Sequence, residues 1–150
     1  MPRWHDNFQR WSCLFVSPCK PQNRNMSKPR IKTVKSIAEL KKDAIRAFNS
    51  FIRRRDAVRL GGKCYTCDKP GDQAGHYIHS HNSVRFNETL TNLQCFNCNH
   101  YASGNLGVYG ERLIAEHGLE KIKELRRLAQ ETKRFNRQEL TELIQKYETK

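Results

Sequence analysis

Two Cys-x-x-Cys pairs, Cys64/Cys67 and Cys95/Cys98, bracket the polar segment Gln73-Ala74-Gly75-His76, and the second pair runs directly into Asn99-His100. Short x-x loops let paired sulfurs reach one ion without straining the backbone, and zinc accepts four thiolates tetrahedrally. The spacing therefore predicts a closed, structural zinc site at Cys64, Cys67, Cys95 and Cys98. A closed site leaves no coordination position for chemistry, so any reaction must fall to residues that the staple holds in place.

Such a staple suits a chain of this size. With 150 residues, 37% of them hydrophobic, the chain can bury a single core, and a small module inside it gains from a metal cross-link. Six cysteines could instead form three disulfides. The N-terminus Met1-Pro2-Arg3-Trp4-His5 has no continuous apolar stretch like that of a signal peptide, however, and four of the six thiols sit in ligand spacing. A reducing, cytoplasmic setting is expected.

Charge narrows the partner. Lys and Arg number 28 against 15 Asp and Glu, a formal +13, of which residues 1–35 hold +7, residues 36–110 hold +4 and residues 111–150 hold +2. A polyanion matches this balance. Nucleic acid is favoured over membrane because no apolar run approaches the ~20 residues of a spanning helix.

Residues 1–35 read as a basic, loosely organised arm, interrupted by Pro2, Pro18, Pro21 and Pro29. Cys13 and Cys19 read as free thiols, and Met26 would serve as an internal start. Order begins at Ser36. Ser36-Ile37-Ala38-Glu39 is a capping box, and Ile37, Leu40, Ala44, Phe48, Phe51 and Ile52 recur at helical spacing to about Ala57. The far end of this helix carries Arg53-Arg54-Arg55, which either holds backbone phosphate or forms a solvated face. Gly61-Gly62 ends it.

Between the cysteine pairs, Gln73 to Ile78 reads as a strand, with Val84-Arg85-Phe86 as a short return segment and a helix starting at the second pair. The last forty residues read as helices, broken at Gly118 and reopened by the capping box Asn136-Arg137-Gln138-Glu139. The expected fold is α+β and mainly helical. A zinc-stapled module over about 61–107 is embraced by the helix that starts at Ser36 and by a helical part over about 108–150.

The order of motifs resembles the HNH endonucleases, also called ββα-metal or His-Me finger nucleases, and more narrowly the NinG/Rap recombination nucleases of lambdoid phages. The stretches that carry it are Ala47-Phe48-Asn49-Ser50-Phe51-Ile52-Arg53-Arg54-Arg55-Asp56, Ala74-Gly75-His76-Tyr77, Val84-Arg85-Phe86-Asn87-Glu88, Gln94-Cys95 through Asn99, and Ser103-Gly104-Asn105-Leu106. They cover residues from about 36 onward. The resemblance implies a nuclease domain over 36–150 in which His76 is the general base, Asn92 orients the loop, and Asn99 is a ligand to a catalytic Mg²⁺ or Mn²⁺.

One position departs from the pattern. Many HNH enzymes place a metal ligand immediately before the histidine base, where this chain has Gly75, and Gln73 stands where the phage family is expected to show Asp. Either Asp72 or His81, and after them His79, completes the coordination, or catalysis is impaired. Arg53, Arg54, Arg55 and Arg85 are the expected DNA contacts, while His100 and His117 read as surface residues. The resemblance further implies branched or double-stranded DNA as substrate, D-loops and Holliday junctions among them. It also implies a phage-encoded enzyme acting in the bacterial cytoplasm, a homodimer suited to paired incisions, and recombination proteins as partners. The rival reading is a non-catalytic zinc module that binds nucleic acid.

Overall fold

A computed structural model describes residues 34–79 and 81–150. The expectations for the basic arm, for Cys13 and Cys19 and for a start at Met26 lie outside these residues.

Helix α1 spans Ile37–Arg59, two residues beyond the expected end. Its start is set locally: the Ser36 hydroxyl accepts from the Glu39 N–H at 3.2 Å, and the Glu39 carboxylate accepts from the Ser36 N–H at 2.7 Å. Its end is set by Gly61 and Gly62, whose φ values of 61° and 73° a residue with a β-carbon resists. The buried face of α1 carries Leu40, Ala44, Phe48, Phe51, Ile52 and Asp56.

Two four-residue strands form the sheet, β1 (Gln73–His76) and β2 (Thr91–Gln94), antiparallel with Gln73 opposite Gln94 and His76 opposite Thr91. The return strand is therefore not Val84-Arg85-Phe86. Asn82–Val84 is a single 3-10 turn, with Val84 buried in the core. A short π-helical segment, Asn97–Tyr101, follows β2. Helices α2 (Leu106–His117) and α3 (Leu119–Ala129) meet at Gly118, and α4 (Arg137–Thr149) opens on the expected Asn136–Glu139 capping box.

Apolar side chains collect in separate groups. Tyr65, Tyr77, Val84 and Leu90 pack with Tyr109, Leu113, Ile122, Leu125 and Ala129 of α2 and α3. Phe48, Phe51 and Ile52 of α1 pack with Tyr147 of α4, and Ala74 of β1 rests on that group. Leu40, Ala44 and Leu140 extend the α1–α4 seam. Removing large aromatics from water dominates such packing, and Phe48 and Tyr147 meet edge to face with centroids 4.9 Å apart. The fold is thus mainly helical with one small sheet.

Candidate metal and catalytic site

The four cysteines converge. Cys64, Cys67, Cys95 and Cys98 place their sulfurs within 4.8 Å of one another, which fits a metal ion such as zinc. Backbone hydrogen bonds build the cluster: Cys64 N–H to Lys69 O at 2.6 Å closes the first loop, and Asn99 N–H to Cys95 O at 3.0 Å closes the second. Burial pushes the Cys64 thiol up, but hydrogen bonds from Thr66 and its neighbours outweigh it and bring it down to about 6. Burial pushes Cys67 and Cys98 up. Four thiols so close together cannot all ionise unaided, and a bound cation relieves that conflict.

His76 closes β1. Its ring packs against Phe48 with centroids 6.1 Å apart, and its Nε2 lies 3.3 Å from the Arg85 carbonyl oxygen. A carbonyl only accepts, so Nε2 is the donor in this contact, and the Ala74 carbonyl is a second acceptor beside the ring. Burial, and then the positive charge of Arg85, hold the imidazole down at about 4, so it is neutral at physiological pH.

Asn99 sits on the π-helical segment, where its side-chain N–H donates to the Gln73 amide oxygen at 2.7 Å. Successive side chains of a strand face opposite ways, and the contacts of β1 follow that rule. Gln73 meets Asn99 and Gly75 lies under the Gln94 side chain, whereas Ala74 and His76 meet the α1 aromatics. Asp72 is exposed, with its N–H bonded to Gln94 O. His79 and His81 are exposed. Among the described residues, no second set of three or more His, Cys, Asp or Glu side chains converges, so neither Asp72 nor His81 assembles such a group with His76.

Gly75 has a packing reason. A β-carbon there would overlap Gln94 Oε1 and come within 2.8 Å of Gln94 Cγ. Gln94 cannot easily swing away, because it is fully buried and its amide donates to Thr66 Oγ1 at 3.1 Å and Gly104 O at 2.8 Å.

Asn92 is a buried hub. Its amide donates to Tyr109 Oη at 3.1 Å and to Thr89 O at 3.2 Å, while its oxygen accepts from Arg55 and Arg59. The Tyr109 hydroxyl in turn donates to Gly75 O at 3.1 Å, tying α2 to both strands. Arg55 is therefore turned inward, bonded to Asp56, Glu88 O, Thr91 O and Asn92, rather than outward to solvent. Arg54 bonds Ser50 and Tyr147 O, Arg53 is exposed, and Arg85 lies beside His76.

Sequence reading assigned no role to Asp56. Its carboxylate is fully buried and accepts from Leu93 N–H at 2.8 Å, Arg55 Nε at 2.8 Å and Arg59 Nε at 2.9 Å, which fixes β2 to α1. The spacing held the signal: Asp56 continues the buried stripe of Phe48 and Ile52 by a step of four, and Arg59 stands one turn on.

A family model described as "Bacteriophage Lambda NinG protein" matches residues 19–150, starting well before Ser36. "Protein ninG" of Escherichia phage lambda is 38% identical over 86 residues, covering 56% of this chain and 42% of that protein. The proteins of the same name from Escherichia phage 933W and Salmonella phage P22 are 37% and 36% identical over 86 residues, covering 56% of this chain and 43% and 42% of theirs. The matched stretch thus spans less than half the length of these curated relatives. No solved structure matches the chain.

Proposed function

The chain belongs to the NinG family of phage proteins, and from that footing we propose that it is a structure-specific DNA endonuclease of the HNH type, cutting branched recombination intermediates. The observation that carries the reading is His76: a half-buried imidazole at a strand end, held neutral at physiological pH. In this role the neutral His76 ring takes a proton from water as the water oxygen attacks phosphorus in line, and the 3′ oxygen departs and takes a proton from solvent.

Asn99 would hold the divalent metal through its side-chain oxygen, since its N–H is committed to Gln73. Oxygen donors in small number fit Mg²⁺ or Mn²⁺, which keep several waters, and the bound ion supplies charge neutralisation at the scissile phosphate. Zinc at the four cysteines holds both ends of the hairpin in register. Arg53 and Arg85 are the arginines best placed for phosphate; Arg55 serves the interior. The formal +13 supports a DNA partner, and no described helix is long and apolar enough to cross a membrane.

The test is nicking of a synthetic four-way junction or D-loop in Mg²⁺ or Mn²⁺, with His76→Ala abolishing the cut while DNA affinity and zinc content persist. Asn99 and His76 meet opposite sides of β1, an arrangement that favours the rival, a non-catalytic zinc module. Wild-type protein that binds junctions yet cuts none in any divalent metal would establish that rival.

A further inference from the structure

The segment that follows β2 carries aromatic rings which none of the three apolar groups uses. Phe96 lies between Cys95 and Cys98 and is 47% exposed; Tyr101, five residues on, is 80% exposed. His100 stacks on Phe96 with centroids 4.5 Å apart and planes 27° from parallel, and Tyr101 meets the Phe96 edge at 5.5 Å. A lone exposed aromatic is ordinary. Three contiguous rings on a backbone pinned by two buried cysteines, Cys95 and Cys98, are a preformed surface.

Phe96 also lines a groove with Lys69, Pro70, Gly71, Asp72 and Asn97. Its polar groups differ in kind: a cation at Lys69, a carboxylate at Asp72 and an amide at Asn97. A uniform phosphate track would not include the carboxylate. A nucleobase edge would use it, since a carboxylate accepts from exocyclic amino groups and an amide serves both donors and acceptors. Bases inside a duplex are already stacked and cannot present their faces, whereas unpaired bases stack readily on Phe, Tyr and His.

We propose that Phe96, His100 and Tyr101 form a stacking platform for unpaired nucleobases, with Lys69 holding the adjoining phosphate and Asp72 and Asn97 meeting the base edge. The inference rests on the nucleic-acid part of the proposed function and deepens it. It supplies a physical basis for preferring branch points, where bases are unpaired, over continuous duplex.

The test compares a fluorescein-labelled single strand of about 16 nucleotides with a duplex of equal length, by anisotropy in buffer without added magnesium. The probes are wild type, Phe96→Ala/Tyr101→Ala and the conservative Phe96→Tyr/Tyr101→Phe. The alanine pair should weaken single-strand binding roughly tenfold or more and leave duplex binding within about twofold, while the conservative pair should bind both as wild type does. Both side chains are exposed, so zinc stoichiometry and helix content should not move. An alanine pair that binds single strands like wild type would overturn the platform and assign the rings to a protein partner; an equal loss on duplex would overturn it too. Wild-type protein that binds neither DNA would instead bring down the proposed function itself.

Discussion

Asn99 donates its side-chain N–H to the Gln73 amide oxygen across 2.7 Å, and this one contact decides which atom of Asn99 remains free. The free atom is the oxygen, a hard donor. An aspartate at position 73 would accept the same hydrogen bond, strengthen it by its charge, and add a carboxylate beside the proposed metal. Gln73→Asp should therefore lower the magnesium concentration for half-maximal nicking by roughly tenfold, a change on the order of 1.4 kcal/mol. Gln73→Leu, which leaves Asn99 unanchored, should raise it. Magnesium titrations of junction nicking check both.

His76 should make the folded protein acid-sensitive in a defined window. Burial, reinforced by Arg85, holds its folded value at about 4 against 6.5 for a free imidazole. Between those values the unfolded chain binds more protons, so stability falls as pH drops from about 6.5 toward 4 and is flat, for this group, above about 6.5. The full effect has a ceiling on the order of 3 kcal/mol. Urea denaturation of wild type and His76→Phe at pH 7 and near 4.5 should show the variant losing less.

Removing Asp56 should cost more than its size suggests. Asp56→Ala strips two arginines of their buried counter-charge and orphans the Leu93 N–H, so a loss of ~3–5 kcal/mol in unfolding free energy is expected. Faster amide exchange at Leu93 would locate the damage in β2.

Gly75→Ala should be destabilising by ~1–3 kcal/mol, because its methyl group drives into the immobile Gln94 side chain. Pairing it with Gln94→Ser should recover part of that loss, and a double-mutant cycle measures the coupling. An acidic residue placed at 75 should pack worse, not restore a ligand.

Stripping zinc with a chelator, or Cys64→Ser, should abolish the cooperative unfolding transition of the hairpin region, since metal binding at such a site is folding free energy. Calorimetry with and without zinc reads the difference.

What could be read from sequence was what local chemistry decides. The Ser36 and Asn136 capping boxes and the breaks at Gly61-Gly62 and Gly118 are each settled within a few residues, and the four cysteines are legible because metal ligands need fixed spacing. The return strand was not legible. Thr91-Asn92-Leu93-Gln94 is buried at all four positions, so it lacks the polar-apolar alternation of a half-exposed strand, and the Asn92 and Gln94 amide N–H groups find distant partners such as Tyr109 and Thr66. Val84-Arg85-Phe86 looked more strand-like, yet Val84 was needed in the α2–α3 core. Arg55 misled for a similar reason. An arginine triplet suggests a solvated face, but helical phase puts its third member on the side that packs against β2.

The way α1 and α4 close one face of β1 bears on engineering. Ala74 and His76 lie against Phe48, and Tyr147 completes that wall from the far end of the chain. An excised segment of residues 61–107 would keep its cysteines and its histidine but lose the floor beneath the hairpin, and two short strands alone are at best marginally stable in water. The module is therefore not portable. A chimera meant to carry the cysteine-stapled hairpin must take α1 and α4 with it, with the fused domain attached outside residues 36–150.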